Sequence, residues 1–486
     1  MSGRSHDASD DDQLRKLGYV PQLLREMGGF QNFALSFSII SILTGGITLY
    51  GYGLRFGGPL TMTLGWPLVL LATLPIAASM AQLASSFPTA GALYHWSAML
   101  GGRGWGFFTA WLNLVGQVAV TAAVDLGLAE FILGALGKPS ARPLSLYVFA
   151  GVLVSHGLLN HFGVKLVARL NALSAGYHIA VTAALVLALA IFAPMQPASF
   201  LVTRFTNQPF PYTYAFCIGL LQAQWTFTGY DASAHVTEET HDASRNAPWG
   251  IFLSVLVSGI AGYVMLLAIT LAIGDLRGTA AADQPFILVL QSRLGRVLGN
   301  AMVWLVLGAM WFCGLASITS NSRMLFAFAR DGGVPMSNHL AHVSPRWKTP
   351  STAVWVSVVF AFAVSISSKA YAGVAALSTI ALYASYGLPI AIGLHARTTG
   401  RWKDFGPWDL GRWSAPINIA ALVWTAVIMV LFVLPPNRVA GEWFYGLCVA
   451  LGVWWFAWMR RTFKGPRVTL IGHSAGEARQ VDPSLR

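Results

Sequence analysis

The residues of this chain best placed to do chemistry are hydroxyls beside glycines in the middle of apolar runs. Thr44-Gly45-Gly46 interrupts the uncharged stretch from Phe30 to Leu54, and Thr228-Gly229 interrupts the stretch from Phe205 to Tyr230. A backbone that opens at such a place offers bare N–H and C=O groups to a charged ligand. In hydrocarbon the opening is tolerable only where it faces protein or a watery cavity. Titratable groups lie in or beside the same kind of run: Asp125, Glu130, His178 and Asp231. At membrane depth such groups point to ion or proton binding. Gln117 adds an amide that needs partners, and Trp225 an indole whose face attracts ammonium groups.

The elements that must position these residues are membrane helices. Hydrophobic residues make up 55% of the 486 and charged residues 10%, against about 25% charged in a soluble domain. Apolar runs long enough to cross a bilayer lie near 30–54, 61–87, 104–135, 143–162, 170–193, 211–234, 248–273, 298–322, 351–368, 371–395, 414–434 and 442–459. They are numbered here as spans 1 to 12. Residues 1–28 and 461–486 read as polar cytoplasmic tails, the first disordered and unlike a cleaved signal peptide. With both termini inside, most of the 31 Lys and Arg residues fall in inner segments, which follows the positive-inside rule. The net charge of +12 is thus a signal of topology, not of nucleic acid. Cys217, Cys313 and Cys448 stand singly in apolar spans and fit no zinc pattern; no metal site is expected. No His-Glu-x-x-His or Gly-x-Ser-x-Gly points to an enzyme, and no filter repeat points to a channel.

Spans 1 and 6 each carry a Thr-Gly break, and each opens a set of five. The expected organisation is a first five-helix repeat over 29–200, a second over 205–400, and helices 11 and 12 over 413–460. An odd number of spans per repeat inverts the second relative to the first. Broken helices at matching places in two such repeats point to the substrate site of a secondary transporter.

Four motifs sharpen this reading. Gln82-Leu83-Ala84, then Pro88-Thr89-Ala90-Gly91-Ala92-Leu93-Tyr94, closes span 2. Trp225-Thr226-Phe227-Thr228-Gly229-Tyr230-Asp231 leads to Glu238-Glu239-Thr240 and Arg245-Asn246-Ala247-Pro248. Ser322 to Pro335 ends span 8, and Ser38 to Ile47 contains Ser-Ile-Ile-Ser-Ile-Leu-Thr-Gly-Gly-Ile. Together they resemble the amino acid–polyamine–organocation (APC) permeases, closest to the branch that carries amino acids, γ-aminobutyrate and choline. Gln82 stands where most members have Glu, and Ala92 where many have a second Gly.

The resemblance implies an all-α fold of twelve spans with a 5+5 inverted repeat, broken helices 1 and 6, and two extra C-terminal helices. It implies a multi-pass protein of the cell membrane that moves a small amino compound by alternating access. The expected substrate-binding residues are Thr44, Gly45 and Gly46, whose amides would take a carboxylate, with Gln117, Trp225, Phe227, Thr228 and Gly229 for the ammonium end. His178 stands where proton-coupled relatives have Lys, so proton symport is expected; a His there would titrate near neutral pH. Sodium is the competing driver, through Ser317, Thr319 and Ser320, and no other cofactor is implied. Asp231, Glu238 and Arg323, with Glu239 and Arg245, are expected to gate the inner side. Asp125 and Glu130 are expected to face the outer vestibule, in water. Choline or polyamine transport, and amino acid exchange, remain as alternatives.

Overall fold

The computed structural model describes residues 3–138, 141–367, 371–466, 468 and 470. Among them the fold is all helical apart from one isolated bridge, Met27 to Thr240. Ten helices are long and apolar enough to cross a membrane, and Ser351–Ile366 is a shorter apolar one. The twelfth crossing is span 6, which is too fragmented to count as one helix.

Span 1 consists of Gly29–Ile40, Gly45–Thr48 and Tyr50–Gly57. The first piece ends at Ser41, whose φ of 31° is left-handed. Span 6 consists of Tyr212–Gly219, Leu221–Thr226 and Ala232–His235. Its break runs from Phe227 to Asp231 and includes Gly229 at a φ of 82°. Span 2 ends in Trp66–Ser86, span 3 is Arg103–Ala135, span 4 Arg142–Phe162 and span 5 Val164–Phe192. Span 7 is Ala243–Leu271, span 8 Pro285–Arg330 with a non-helical Gly295, and span 10 Tyr371–Thr398. Span 8 therefore begins earlier than its hydropathy alone suggested.

The two broken helices pack against each other through their openings. A Cβ on Gly45 would lie 2.7 Å from Thr226 Oγ1 and 2.8 Å from its Cα. A Cβ on Gly229 would overlap Ile39 of span 1. Hydrogen bonds zip the adjoining halves together. Asn32 donates to Ser233 O (2.8 Å) and Thr240 Oγ1 (3.0 Å), and Ser36 donates to Tyr230 O (2.9 Å).

The N-terminal tail is not the disordered segment its polarity suggested. Gly3–Lys16 is helical, and Leu14, Leu17, Tyr19, Leu23 and Met27 are buried against the bundle. Asp10 accepts from the backbone N–H groups of Asp242 (2.7 Å) and Ala243 (3.3 Å), capping the N-terminus of span 7 from another element. A carboxylate there satisfies otherwise orphaned donors and meets the positive end of the helix dipole. The tail expected after residue 470 lies outside the described residues.

Candidate functional site

The span 6 break is built around a carboxylate. Asp231 is fully buried. Its Oδ1 accepts from Tyr386 Oη at 2.8 Å. Its Oδ2 faces Asn113 Nδ2 (2.9 Å), Gln117 Nε2 (3.3 Å) and His235 Nε2 (3.2 Å). Span 3 supplies the two amides, span 10 the phenol and the next helical turn the imidazole. Tyr383 donates to Phe227 O, and Gly229 N–H donates to Tyr386 Oη at 3.1 Å. Thr228 donates back to Trp225 O at 2.7 Å. Trp225 itself is buried, and its Nε1 donates to Ser378 Oγ at 3.2 Å; Phe227 stacks near Trp66 at 4.8 Å.

The span 1 break is differently furnished. His178 Nδ1 lies 2.8 Å from Ser174 O, and its Nε2 lies 2.8 Å from Ser41 Oγ. Ser41 Oγ in turn lies 2.6 Å from Thr44 Oγ1. The opening begins at Ser41, ahead of the glycines. Gly45 N–H already donates to Ser41 O (2.8 Å) and Gly46 N–H to Ile42 O (3.1 Å). These two amides, expected to receive a carboxylate, are thus engaged in the chain's own turn. Among the described residues the N–H groups of Ile42 and Leu43 find no backbone carbonyl. Gly45 is required by the approach to Thr226, whereas a Cβ on Gly46 would meet nothing nearer than Met265 Cε at 3.4 Å.

Of the span 8 hydroxyls offered for sodium, Ser317 and Thr319 donate to carbonyls of their own helix, Cys313 O at 2.9 Å and Leu315 O at 3.0 Å. Cys313 donates to Ile39 O at 3.3 Å, beside the span 1 break. Asp125 is not in a wet vestibule: it is fully buried and its Oδ2 lies 3.1 Å from His156 Nδ1. Glu130 does line the far vestibule, a cavity of about 220 Å³ shared with Thr48, Tyr52, Arg55 and Asp283.

At the face bearing the N-terminal helix the molecule is shut. Glu239 holds Arg323 at 2.7 Å, and Glu238 holds Arg330 with two contacts of 2.8 and 2.9 Å. Both acids are buried. Arg330, not Arg245, is therefore the partner of Glu238. Burial alone would raise the Glu238 carboxyl, but Arg330 and the Ala90 N–H outweigh it and hold it below the usual range. Arg330 also lies over the Tyr19 ring at 4.1 Å. Asp331 accepts from Tyr19 (2.7 Å) and Tyr94 (2.8 Å) and lies 3.1 Å from His95 Nε2. The space left beside Asp10, Arg25, Pro88 and Thr237 is about 10 Å³, too little for more than one water. Gln82, the departure from the usual Glu, donates to Asp409 at 2.9 Å and accepts from Ser414 at 3.0 Å. A Glu there would set two carboxylates together.

Comparison with known proteins agrees with this geometry. The family described as "Amino acid permease" matches residues 27–455. The chain belongs to the amino acid permease family. It is 37% identical to an "Amino-acid permease BAT1 homolog" from Oryza sativa subsp. japonica, over 95% of this chain and 96% of that protein. It is 36% identical to "Amino-acid permease BAT1" from Arabidopsis thaliana, over 93% and 95%. It is 28% identical to "Amino-acid permease 2" from Neurospora crassa, over 99% and 92%. This amino acid permease is thus an APC-type membrane transporter rather than an enzyme.

Sequence reasoning missed Asn113, Tyr383, Tyr386, His156 and His235. His235 had a signal, since Asp231 and His235 are one helical turn apart.

Proposed function

We propose that this permease imports an amino acid or a related amine such as γ-aminobutyrate by alternating access, driven by protons through His178. It would sit in the cell membrane with the face that carries the N-terminal helix toward the cytoplasm. The observation that carries the reading is the contact of His178 with the span 1 break, 2.8 Å from Ser41 Oγ.

Proton accounting gives the coupling. Ser174 O has no proton, so His178 Nδ1 must donate to it. When His178 is neutral, Nε2 accepts from Ser41, and Ser41 accepts from Thr44. The Thr44 oxygen then turns lone pairs alone toward the opening. When His178 is protonated, Nε2 donates to Ser41 and Ser41 donates to Thr44. The Thr44 hydroxyl hydrogen is then free for a substrate carboxylate, beside the N–H groups of Ile42 and Leu43. Proton binding and carboxylate binding support each other, and linkage makes the effect reciprocal.

The test is uptake into proteoliposomes of a neutral amino acid, a basic amino acid, γ-aminobutyrate and choline. Each is run with an inward proton gradient, an inward sodium gradient or neither. Expected is stimulation by protons that His178→Ala abolishes while exchange of labelled for unlabelled substrate persists. Stimulation by sodium alone, unaffected by His178→Ala, would overturn the proton reading.

A further inference from the structure

The Asp231–His235 pair is a second buried titratable group, and His178 chemistry does not use it. Its hydrogen bonds fix its protonation. His235 Nδ1 lies 3.0 Å from Ala90 O, a carbonyl that can only accept, so Nδ1 carries a proton. On the other side, Tyr386 accepts from Gly229 N–H and so gives its own proton to Asp231 Oδ1. Asn113 Oδ1 accepts from Gln117 at 3.1 Å, which turns the Asn113 amide N–H toward Oδ2. Oδ2 is thus already met by Asn113 and Gln117, and Asp231 is an ionised carboxylate. His235 Nε2, 3.2 Å from it, must then donate as well. The pair is an imidazolium and a carboxylate, with no net charge left in the core.

His235 also reaches the loop between spans 2 and 3. The Ala90 peptide is clamped from both sides, its C=O by His235 and its N–H by Glu238 Oε1 at 3.2 Å. We infer that His235 is a proton-binding site that locks this loop shut across the N-terminal-helix face and releases it on deprotonation. A neutral imidazole has one N–H: it keeps either Ala90 or Asp231 and turns a lone pair toward the other. Losing the proton therefore breaks one of the two contacts whichever tautomer forms.

Other ionisable groups are near. Tyr230, Tyr383 and Tyr386 surround Asp231, and phenols, with an ordinary pKa of about 10, stay neutral at working pH. Beyond Ala90 lie Glu238 with Arg330, and His95 with Asp331. His95 is the one rival titration, so it needs its own control. The direction of the lock rests on the transport reading above: a proton released to the cytoplasm would open the cytoplasmic side.

The test uses Thr237→Cys as a reporter, because Thr237 is buried at this face and its hydroxyl has no partner. Cys217 and Cys448 are replaced by serine, Cys313 being fully buried. The purified full-length chain is reacted with a maleimide between pH 5.5 and 8.5. Rates are normalised at each pH to the same chain unfolded in detergent, with the chain lacking Thr237→Cys as background. Expected is a normalised rate that rises about fivefold or more with pH, flat in His235→Gln and unchanged by His95→Gln. Should His235→Gln not fold, Tyr386→Phe removes one donor from Asp231, strengthens its hold on the imidazolium and moves the midpoint upward. A native rate independent of pH, or a rise that survives His235→Gln or moves only with His95, overturns the assignment. A pH-dependent lock in a protein that exchanges no amino acid would keep this inference and remove the transport reading.

Discussion

The two breaks are opened by similar residues and filled in opposite ways. At span 6 the chain supplies its own ion and its own answer to it. Asp231 is met by Tyr386, Asn113, Gln117 and His235, and Phe227 O is met by Tyr383. At span 1 there are only hydroxyls, a histidine and the unpartnered amides of Ile42 and Leu43. A buried polar group without a partner is costly, so the span 1 opening is the one that gains most from a ligand. The span 6 opening is finished before any ligand arrives.

That contrast is broken most directly by removing one polar group from each side. Asp231→Ala leaves an imidazolium and three further donors without their acceptor, and breaking a buried ion pair costs about 3–5 kcal/mol. Ser41→Ala removes a neutral hydroxyl, which costs about 1 kcal/mol. Thermal unfolding of the two purified variants in one detergent should show the large loss only for Asp231→Ala. Equal losses would mean that the breaks are not furnished differently.

Packing between the breaks gives a smaller effect. Gly45→Ala drives a methyl against the backbone of Thr226, and overpacking of this kind costs about 1–3 kcal/mol. Gly46→Ala meets only the flexible end of Met265. Paired uptake and unfolding measurements should find Gly45→Ala impaired in both and Gly46→Ala close to the native protein. The reverse order would show that the glycines serve a ligand rather than the helix contact.

The smallest effect concerns the loop beneath span 6. Because Arg330 holds the folded Glu238 carboxyl low, its stabilisation is fully present above the unfolded value of about 4.3. It is lost as pH falls through the lower folded value, with a slope of at most about 1.4 kcal/mol per pH unit for one proton. Unfolding temperatures followed from pH 6 to 3 should fall more steeply for the native chain than for Glu238→Gln. Parallel curves would remove Glu238 from the set of groups that hold this face.

Much of the architecture was legible because hydropathy and helix breakers are local signals. The Thr-Gly steps located both openings to within a few residues, and the four motifs supplied the family. The partners of Asp231 were not legible, because Asn113 and Tyr386 lie 118 and 155 residues away from it. Only folding brings spans 3 and 10 to the same carboxylate. Asp125 was misplaced for a related reason. Counting rise along span 3 gives depth, but it cannot show that His156 of span 4 faces it. The N-terminal segment misled through composition: its few apolar residues are the ones that make contact, and its Asp10 works as a cap.

The short bridge between Met27 and Thr240 has a mechanical meaning. Glu26 and Met27 donate to Glu239 O at 3.0 and 2.9 Å, and His241 donates to Met27 O at 2.8 Å. Together with the bonds from Asn32 and Ser36, they rivet the near halves of both broken helices into one plate. Such a plate has no freedom to let one half-helix swing without the other. The hinge line then runs through Ser41–Thr44 and Phe227–Asp231, and an event at either opening is felt at both.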